Sequence, residues 1–466
     1  MSRAPQYTLV ALTVALLLSP LAALNGADAP SAANRPNIIF ILADDLGIGS
    51  LTSYGADNFK TPNIDKLAAS GIRFEHCYAS PLCGPSRAML LTGRYAFHTG
   101  MTGNDTGHLL NPANEIITPM MLKPAGYATG QVGKWAQFPH QPSKWGFDEY
   151  LRFGGSGKYW NNQDPPNKLT YTVNGKETPL LDGEYLPDKM HDFAVSFITR
   201  HKDQPFYLYY AMSHVHTPIL PTPDSSPANT AIKVTQLALY QDNVAYMDKL
   251  VGKLIAELDR LKLREKTLVI FASDNGTTPA YKWACTINHG KELSGCKYSM
   301  LECGALIPMI ASWPGTTPAG QVSQNLISFC DFVPTLAEVA GAKVPPRVAI
   351  DGRAFTPLLY GKALDSPRDW IFVMLYSEWY DREVSWKLNQ AGELFNMKNA
   401  PFTEPLVPTN SQDKEALAAR QRLQAVLTQL NPAAGKVDPL HPAKKKSKAE
   451  KKLPLQDSGN ANAADQ

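Results

Sequence analysis

Three apolar runs that do not alternate, each ending abruptly in polar residues, constrain this chain more than any other feature. The first is 36-PNIIFILADDLG-47, led by Pro36 and closed by Asp44 and Asp45. The second, 267-TLVIFASDNG-276, closes on Asp274 and Asn275, and the third, 206-FYLYYAMSH-214, closes on a histidine. A half-buried strand alternates polar and apolar positions. A run that is apolar at every position reads instead as a strand covered on both faces, as in a parallel sheet flanked by helices. Open α/β sheets bind ligands beyond the carboxyl ends of their strands. The three runs therefore predict one sheet edge that collects carboxylates, an amide and a histidine.

Helices are expected between the runs. Val244, Met247, Val251, Leu254, Leu258 and Leu261 recur at helical spacing over about 234–262. Pro62 suits a first helical turn over about 62–70, with Thr61 as the cap before it. Past residue 345 the pattern shortens to strand-like pieces, 370-WIFVMLY-376, 384-VSWKL-388 and 393-ELFNM-397, and then an amphipathic helix at about 411–430. The fold class expected is α/β: a large mixed, mostly parallel sheet flanked by helices, with a smaller C-terminal α+β domain.

The two ends carry other signals. Arg3, the apolar run 8-TLVALTVALLLSPLAAL-24 and the small residues 22–29 form a secretory signal peptide, so an exported protein, periplasmic or secreted, is expected without stable membrane insertion after cleavage. The net charge of +3 rests on the tail. Its run 444-KKKSKAEKK-452 holds six lysines and one glutamate, and without it 39 basic side chains face 41 acidic ones. Nothing outside that tail suggests a nucleic-acid surface. The expected divisions are 1–29 signal peptide, 30–345 large domain, 346–435 small sheet-plus-helix domain and 436–466 disordered Lys-rich tail. The six cysteines (Cys77, Cys83, Cys285, Cys296, Cys303 and Cys330) are too few for a disulfide scaffold.

Asp44, Asp45, Asp274 and Asn275 are three carboxylates and an amide oxygen, a hard-oxygen set suited to one divalent cation, Ca²⁺ first and Mg²⁺ as the alternative. Crowded together without a cation, such carboxylates raise one another's pKa. The stretch 82-LCGPSRAMLLTGR-94, taken by itself, is a thiol in a loop that starts a helix.

Cys83-Gly84-Pro85-Ser86-Arg87 followed by Leu91-Thr92-Gly93-Arg94 resembles the signature of the formylglycine-dependent sulfatases, in the alkaline phosphatase superfamily. Other segments appear in that family's order: Asp44-Asp45-Leu46-Gly47, 61-TPNIDKLAASGIRF-74, Gly133-Lys134-Trp135, His216-Thr217-Pro218, Asp274-Asn275-Gly276, and Lys297 five residues before Glu302. The resemblance spans roughly residues 36–400 and makes 30–345 a sulfatase catalytic domain. It implies that Cys83 is oxidised to formylglycine by a maturation enzyme that reads Cys-x-Pro-x-Arg. It also implies a cation held by Asp44, Asp45, Asp274 and Asn275 together with the modified residue 83. Arg87, Lys134, His216 and Lys297 would be catalytic, with Ser156 of 151-LRFGGSG-157 as a further substrate contact. The chemistry has a reason. An aldehyde hydrate offers one acidified hydroxyl to attack sulfur and a second whose deprotonation expels sulfate. A sulfated small molecule or glycan is the substrate expected. Tyr159-Trp160 and Trp379-Tyr380 are candidates to stack on sugar rings.

Two positions depart from the family pattern. Gly133-Lys134-Trp135 is followed by Ala136, where the family usually has a histidine that assists the leaving group; His140 and Lys158 are candidates to replace it. After Glu302 the family shows Gly-Gly-x-Arg, but this chain reads Cys303-Gly304-Ala305-Leu306. Two alternatives stay open: a phosphate or phosphonate ester hydrolase of the same superfamily and, with Ala136 in its favour, a non-catalytic binder of sulfated glycans.

Overall fold

The computed structural model describes residues 35–163, 168–226 and 236–436. The expected signal peptide and residues 437–466 of the tail lie outside the described residues.

A ten-stranded mixed sheet has the order β10-β2-β9-β8-β1-β7-β3-β4-β5-β6. Its centre is β1 (Asn37–Ala43), flanked in parallel by β7 (Phe206–Ala211) and β8 (Thr267–Ser273). β3 (Ala128–Lys134) and β4 (Glu149–Phe153) continue the parallel run beyond β7. All seven residues of β1 and all seven of β8 are buried, as the non-alternating apolar runs require. On the far side of β8, β9 (Leu306–Ser312) is antiparallel, followed by β2 (Ile72–Tyr78) and β10 (Gln321–Ser328). β5 (Thr170–Val173) and β6 (Lys176–Pro179) close the other end as a hairpin.

Apolar clusters cover both faces. Ile39 and Ile41 point into one, with Met247, Val251 and Leu254 of the helix Gln236–Arg260. Ile38, Phe40 and Leu42 point into the other, with Phe332 and Leu336. Helix α1 spans Pro62–Ala69, close to its expected bounds, but the Thr61 side chain does not cap it. Asp248, from the middle of the long helix, takes the free amides of Asn63 (3.0 Å) and Ile64 (2.8 Å) instead. That contact fastens two helices as well as ending one.

A second, antiparallel sheet has the order β11-β12-β13-β14. Three of its strands, β11 (Ile371–Leu375), β13 (Trp386–Asn389) and β14 (Leu394–Asn396), match the expected pieces; β12 (Glu378–Arg382) is additional. The helix Lys414–Leu430, capped by the Asp413 carboxylate on the Glu415 amide, buries Ala416, Ala419 and Leu423 against the same cluster as Phe372 and Leu388. The two sheets meet through Arg382, which ion-pairs with Glu302 and reaches the Tyr78 hydroxyl at 2.6 Å. Glu302 thus keeps a guanidinium partner although Leu306 stands where the resemblance leads one to expect arginine. Among the described residues, which include all six cysteines, no disulfide forms.

Candidate active site

The register of the central strands sets the site. Ala43 lies opposite Ser273, and Leu42 lies opposite Ala211, so all three chains leave the sheet at one level. Backbone bonds hold the exits together: the Asp44 amide donates to the His214 carbonyl (2.8 Å), the Val215 amide to the Asp44 carbonyl (2.6 Å) and the Asp274 amide to the Ala43 carbonyl (3.1 Å). Asp45 turns the chain with φ of 60° and donates its amide to Asp274 Oδ1 at 3.1 Å. The four candidate cation ligands outside residue 83 have no exposed surface.

Helix α2 (Cys83–Thr92) brings the thiol to this edge, and every one of its residues is buried. Pro85 fits there because a helix's first amides have no partner within the helix. Four residues after Cys83, Arg87 lies on the same helical face. It closes Nε (2.9 Å) and Nη2 (2.6 Å) on Asp274 Oδ2 and approaches Asp44 Oδ1 at 3.6 Å.

Two lysines complete the ring of charge. Lys134, the last residue of β3, donates to both oxygens of Asp44, at 2.9 and 2.7 Å. Lys297 donates to Asp45 Oδ2 at 3.1 Å and lies 3.3 Å from His216 Nε2. His216 Nδ1 is 2.6 Å from the Thr217 carbonyl, which makes Nδ1 the protonated nitrogen and leaves Nε2 to accept from Lys297. The Gly154–Gly157 turn packs on this histidine: at Gly157, φ 58°, a Cβ would lie 2.0 Å from the Thr217 carbonyl and 3.1 Å from His216 Nδ1. Ser156 is thereby carried to the site's margin, half-buried.

Burial alone would raise the Asp44 and Asp45 carboxyls, but Lys134 and Lys297 respectively lead the cations that hold both below the usual carboxylate range. Burial raises Asp274, and the Asp44 charge raises it further. The Cys83 thiol is pushed up by burial although Lys134 and Lys297 pull it down. A thiolate is the reactive form of cysteine, so the unmodified side chain is a weak nucleophile at neutral pH.

The donor set fits a hard divalent cation. Asp44, Asp45 and His216 present ligand-capable atoms within 4.8 Å of one another. Asn275 donates Nδ2 to Asp45 Oδ1 at 2.8 Å, while its buried Oδ1 has no hydrogen-bond partner. A buried amide oxygen left open beside three carboxylates is what an oxygen-seeking ion requires. Three carboxylates against Arg87, Lys134 and Lys297 leave the side chains near neutrality, so a bound dication would make the site cationic and suited to an anionic ester.

Other residues fall elsewhere or were not anticipated. His214 is structural: its Nε2 meets the Tyr185 hydroxyl at 2.9 Å, and burial pushes its pKa down to about 3. Tyr159 and Tyr380 do not stack on a ligand, because both are buried. Tyr159 instead donates to the carbonyls of Ser213 (2.9 Å) or His216 (2.7 Å) and shapes the histidine's loop. His140 is exposed, and its carbonyl accepts the Trp135 indole N–H at 3.0 Å. Asn104, with no motif around it, lies 3.5 Å from Cys83 Sγ. No helix among the described residues is long and apolar enough to cross a membrane.

The sulfatase family model matches residues 36–342, and the model for the C-terminal part of N-sulphoglucosamine sulphohydrolase matches 296–391. N-acetylgalactosamine-6-sulfatase of Sus scrofa is 36% identical over 73% of this chain and 69% of its own. Steryl-sulfatase of Rattus norvegicus is 30% identical over 85% and 82%. Among solved structures, Ps i-CgsB in complex with k-i-k-neocarrahexaose superposes with a TM-score of 0.71 at 30% identity, covering 85% of this chain and 92% of that one. With the family model spanning well over half its length, the chain belongs to the sulfatase family and is a sulfuric ester hydrolase.

Proposed function

We propose that this enzyme is exported, carries formylglycine at position 83, and hydrolyses sulfate monoesters on carbohydrate. The observation that supports it best is the Cys83–Arg87 helix turn, set against Asp44, Asp45, Asp274 and the open Oδ1 of Asn275. Asp44, Asp45, Asp274 and Asn275 would hold one divalent cation, Ca²⁺ by its preference for oxygen ligands, which acidifies a bound hydroxyl and offsets sulfate charge. Residue 83 would supply that hydroxyl once matured; burial keeps its precursor thiol protonated and inert. Arg87 fixes Asp274 and faces residue 83 from the next helical turn. Lys134 and Lys297, already sealed from water, are point charges for the ester's non-bridging oxygens. His216, its tautomer set by Thr217, presents Nε2 to accept or relay a proton. Carbohydrate is supported by the names of the pig enzyme and of the k-i-k-neocarrahexaose complex.

Mass spectrometry of the tryptic peptide 74–87, from protein produced with a formylglycine-generating enzyme, tests the nucleophile; an intact thiol rejects it. Sulfate release from N-acetylgalactosamine 6-sulfate and from carrageenan oligosaccharides, compared with an aryl sulfate and an aryl phosphate, tests the substrate class. Faster turnover of the phosphate would reject the sulfatase assignment of the site. A second reading has Ala136 in its favour: binding of sulfated glycan without turnover, by protein shown to carry the aldehyde, would make the chain a lectin on this fold.

A further inference from the structure

Outside the charged ring, Asn104, at the start of the short helical stretch Asn104–Leu109, lies within hydrogen-bond reach of Cys83. Its Oδ1 accepts the Gly84 amide at 2.9 Å, and both ends of the carboxamide, Oδ1 and Nδ2, lie 3.5 Å from Cys83 Sγ. The fit depends on residue 84 being glycine. A Cβ there would lie 2.5 Å from Asn104 Oδ1 and 2.9 Å from the Met101 methyl. In the Cys-x-Pro-x-Arg pattern the second position is unconstrained, so the motif does not require Gly84, whereas its close approach to Asn104 does. The same stretch packs on the segment that bears Ala136, since a Cβ on Gly107 would fall 1.8 Å from the Gln137 carbonyl. The half-buried carboxamide thus sits side-on to residue 83 with Oδ1 already engaged by backbone, and Nδ2 is the end within reach of residue 83 that the Gly84 amide does not occupy.

We propose that Asn104 is a positioning residue for the active nucleophile. Its Nδ2–H₂ donates to an oxygen of matured residue 83 and orients the two hydroxyls of the hydrate, while Gly84 N–H fixes the carboxamide. The sulfur of Cys83 stands in for those oxygens. This inference rests on the proposed maturation of Cys83. It assigns Asn104 a role apart from cation, sulfate or substrate binding, and it explains why position 84 has no side chain.

Asn104→Asp and Asn104→Ala separate this from a role in capping helix α2. Aspartate keeps the acceptor for Gly84 N–H and loses the donor; alanine loses both. The wild-type 74–87 peptide is first shown by mass spectrometry to carry the aldehyde; a thiol there overturns this inference together with the reading it rests on. With the aldehyde present, both variants should lose about tenfold in kcat on an aryl sulfate, with KM changed by less than about threefold. Because the hydrate loses a partner, an aminooxy probe should label residue 83 at least about threefold faster in both variants, measured by mass on the cation-free proteins. Wild-type kcat and labelling in Asn104→Asp would show that the acceptor alone matters and overturn the proposal. So would a loss of kcat in Asn104→Ala with unchanged labelling and a lowered melting temperature, the signature of a lost cap.

Discussion

Arg87 directs two nitrogens, Nε at 2.9 Å and Nη2 at 2.6 Å, onto a single oxygen of Asp274, and both side chains are shut off from solvent. Breaking a buried pair by removing one member leaves an uncompensated charge, at a cost of about 3–5 kcal/mol. Arg87→Ala should therefore be destabilised by about that amount in urea unfolding. Saturating Ca²⁺ should narrow the gap, because the cation neutralises the same carboxylate. The comparison is made on unmatured protein, so that loss of the maturation motif does not enter. An equal gap with and without Ca²⁺ would place Asp274 outside the cation site.

The oxygen cage itself predicts a ranking. Asn275→Leu removes the one ligand candidate whose oxygen has no other partner, and Asp45→Asn removes charge while keeping shape. Calorimetric titration with CaCl₂ should show affinity lowered by at least about tenfold in each. Wild-type affinity in Asn275→Leu would exclude its carbonyl from the coordination sphere. The same titration on Cys83→Ala, which keeps all four cage side chains, should retain most of the binding.

The edge that gathers these residues was legible because burial on both faces leaves an unmistakable mark in β1, β7 and β8, and because each run stops where polar side chains begin. What was not legible depended on distant partners. β12 reads as polar over 378-EWYDR-382, yet Tyr380, Asp381 and Arg382 are all buried, Arg382 because Glu302 neutralises it from the other sheet. The cap of α1 comes from Asp248, some 180 residues on, rather than from the adjacent Thr61. The pair Tyr159-Trp160 is a candidate sugar platform in sequence, and only the path of the His216 loop shows why Tyr159 is inside. Asn104 has no signature: an asparagine in a Gly-Asn-Asp-Thr-Gly stretch is a turn residue until Gly84 is found beneath it.

The Arg382–Glu302 contact should hold the small sheet on the large one. Both side chains are 1% exposed and share the Tyr78 hydroxyl. Arg382→Met should cost about 3–5 kcal/mol, whereas the double change Arg382→Met with Glu302→Gln should recover a large part of it. A double-mutant cycle by urea unfolding measures the coupling. Additive losses would show that Arg382 acts through packing rather than through Glu302.

Asp381 predicts how stability varies with pH. Both its oxygens are buried without a hydrogen-bond partner, between cross-strand neighbours Phe372 and Leu388, and burial pushes its pKa up to about 8 from 3.8. Below pH 3.8 folded and unfolded chains both hold the proton, and the site costs nothing in ionisation. Between 3.8 and 8 only the folded chain keeps it, so this group's contribution to stability falls as pH rises, and the full penalty is present above 8. Asp381→Asn removes the ionisation. The variant should gain at least about 2 kcal/mol over wild type at pH 9, with the gap shrinking steadily toward pH 4. A gap independent of pH would mean that the carboxyl does not titrate in the fold.

Ala136 is the position where family resemblance and this sequence part. Its strand, β3, ends two residues earlier at Lys134, which is locked on Asp44, so the backbone at 136 is anchored next to the reacting centre. Alanine offers no proton, and His140, on the exposed side of the same loop, turns its carbonyl rather than its ring to Trp135. Bond cleavage in this enzyme should therefore depend steeply on leaving-group acidity. Across aryl sulfates with phenols of graded pKa, wild-type kcat/KM should fall sharply as the phenol becomes more basic. Ala136→His should flatten that slope. It should raise turnover of the poorest leaving groups by about 10²-fold, the lower end of what general acid help supplies, and leave the most activated esters nearly unchanged. Parallel slopes in the two enzymes would show that another group, His216 foremost, already protonates the departing oxygen.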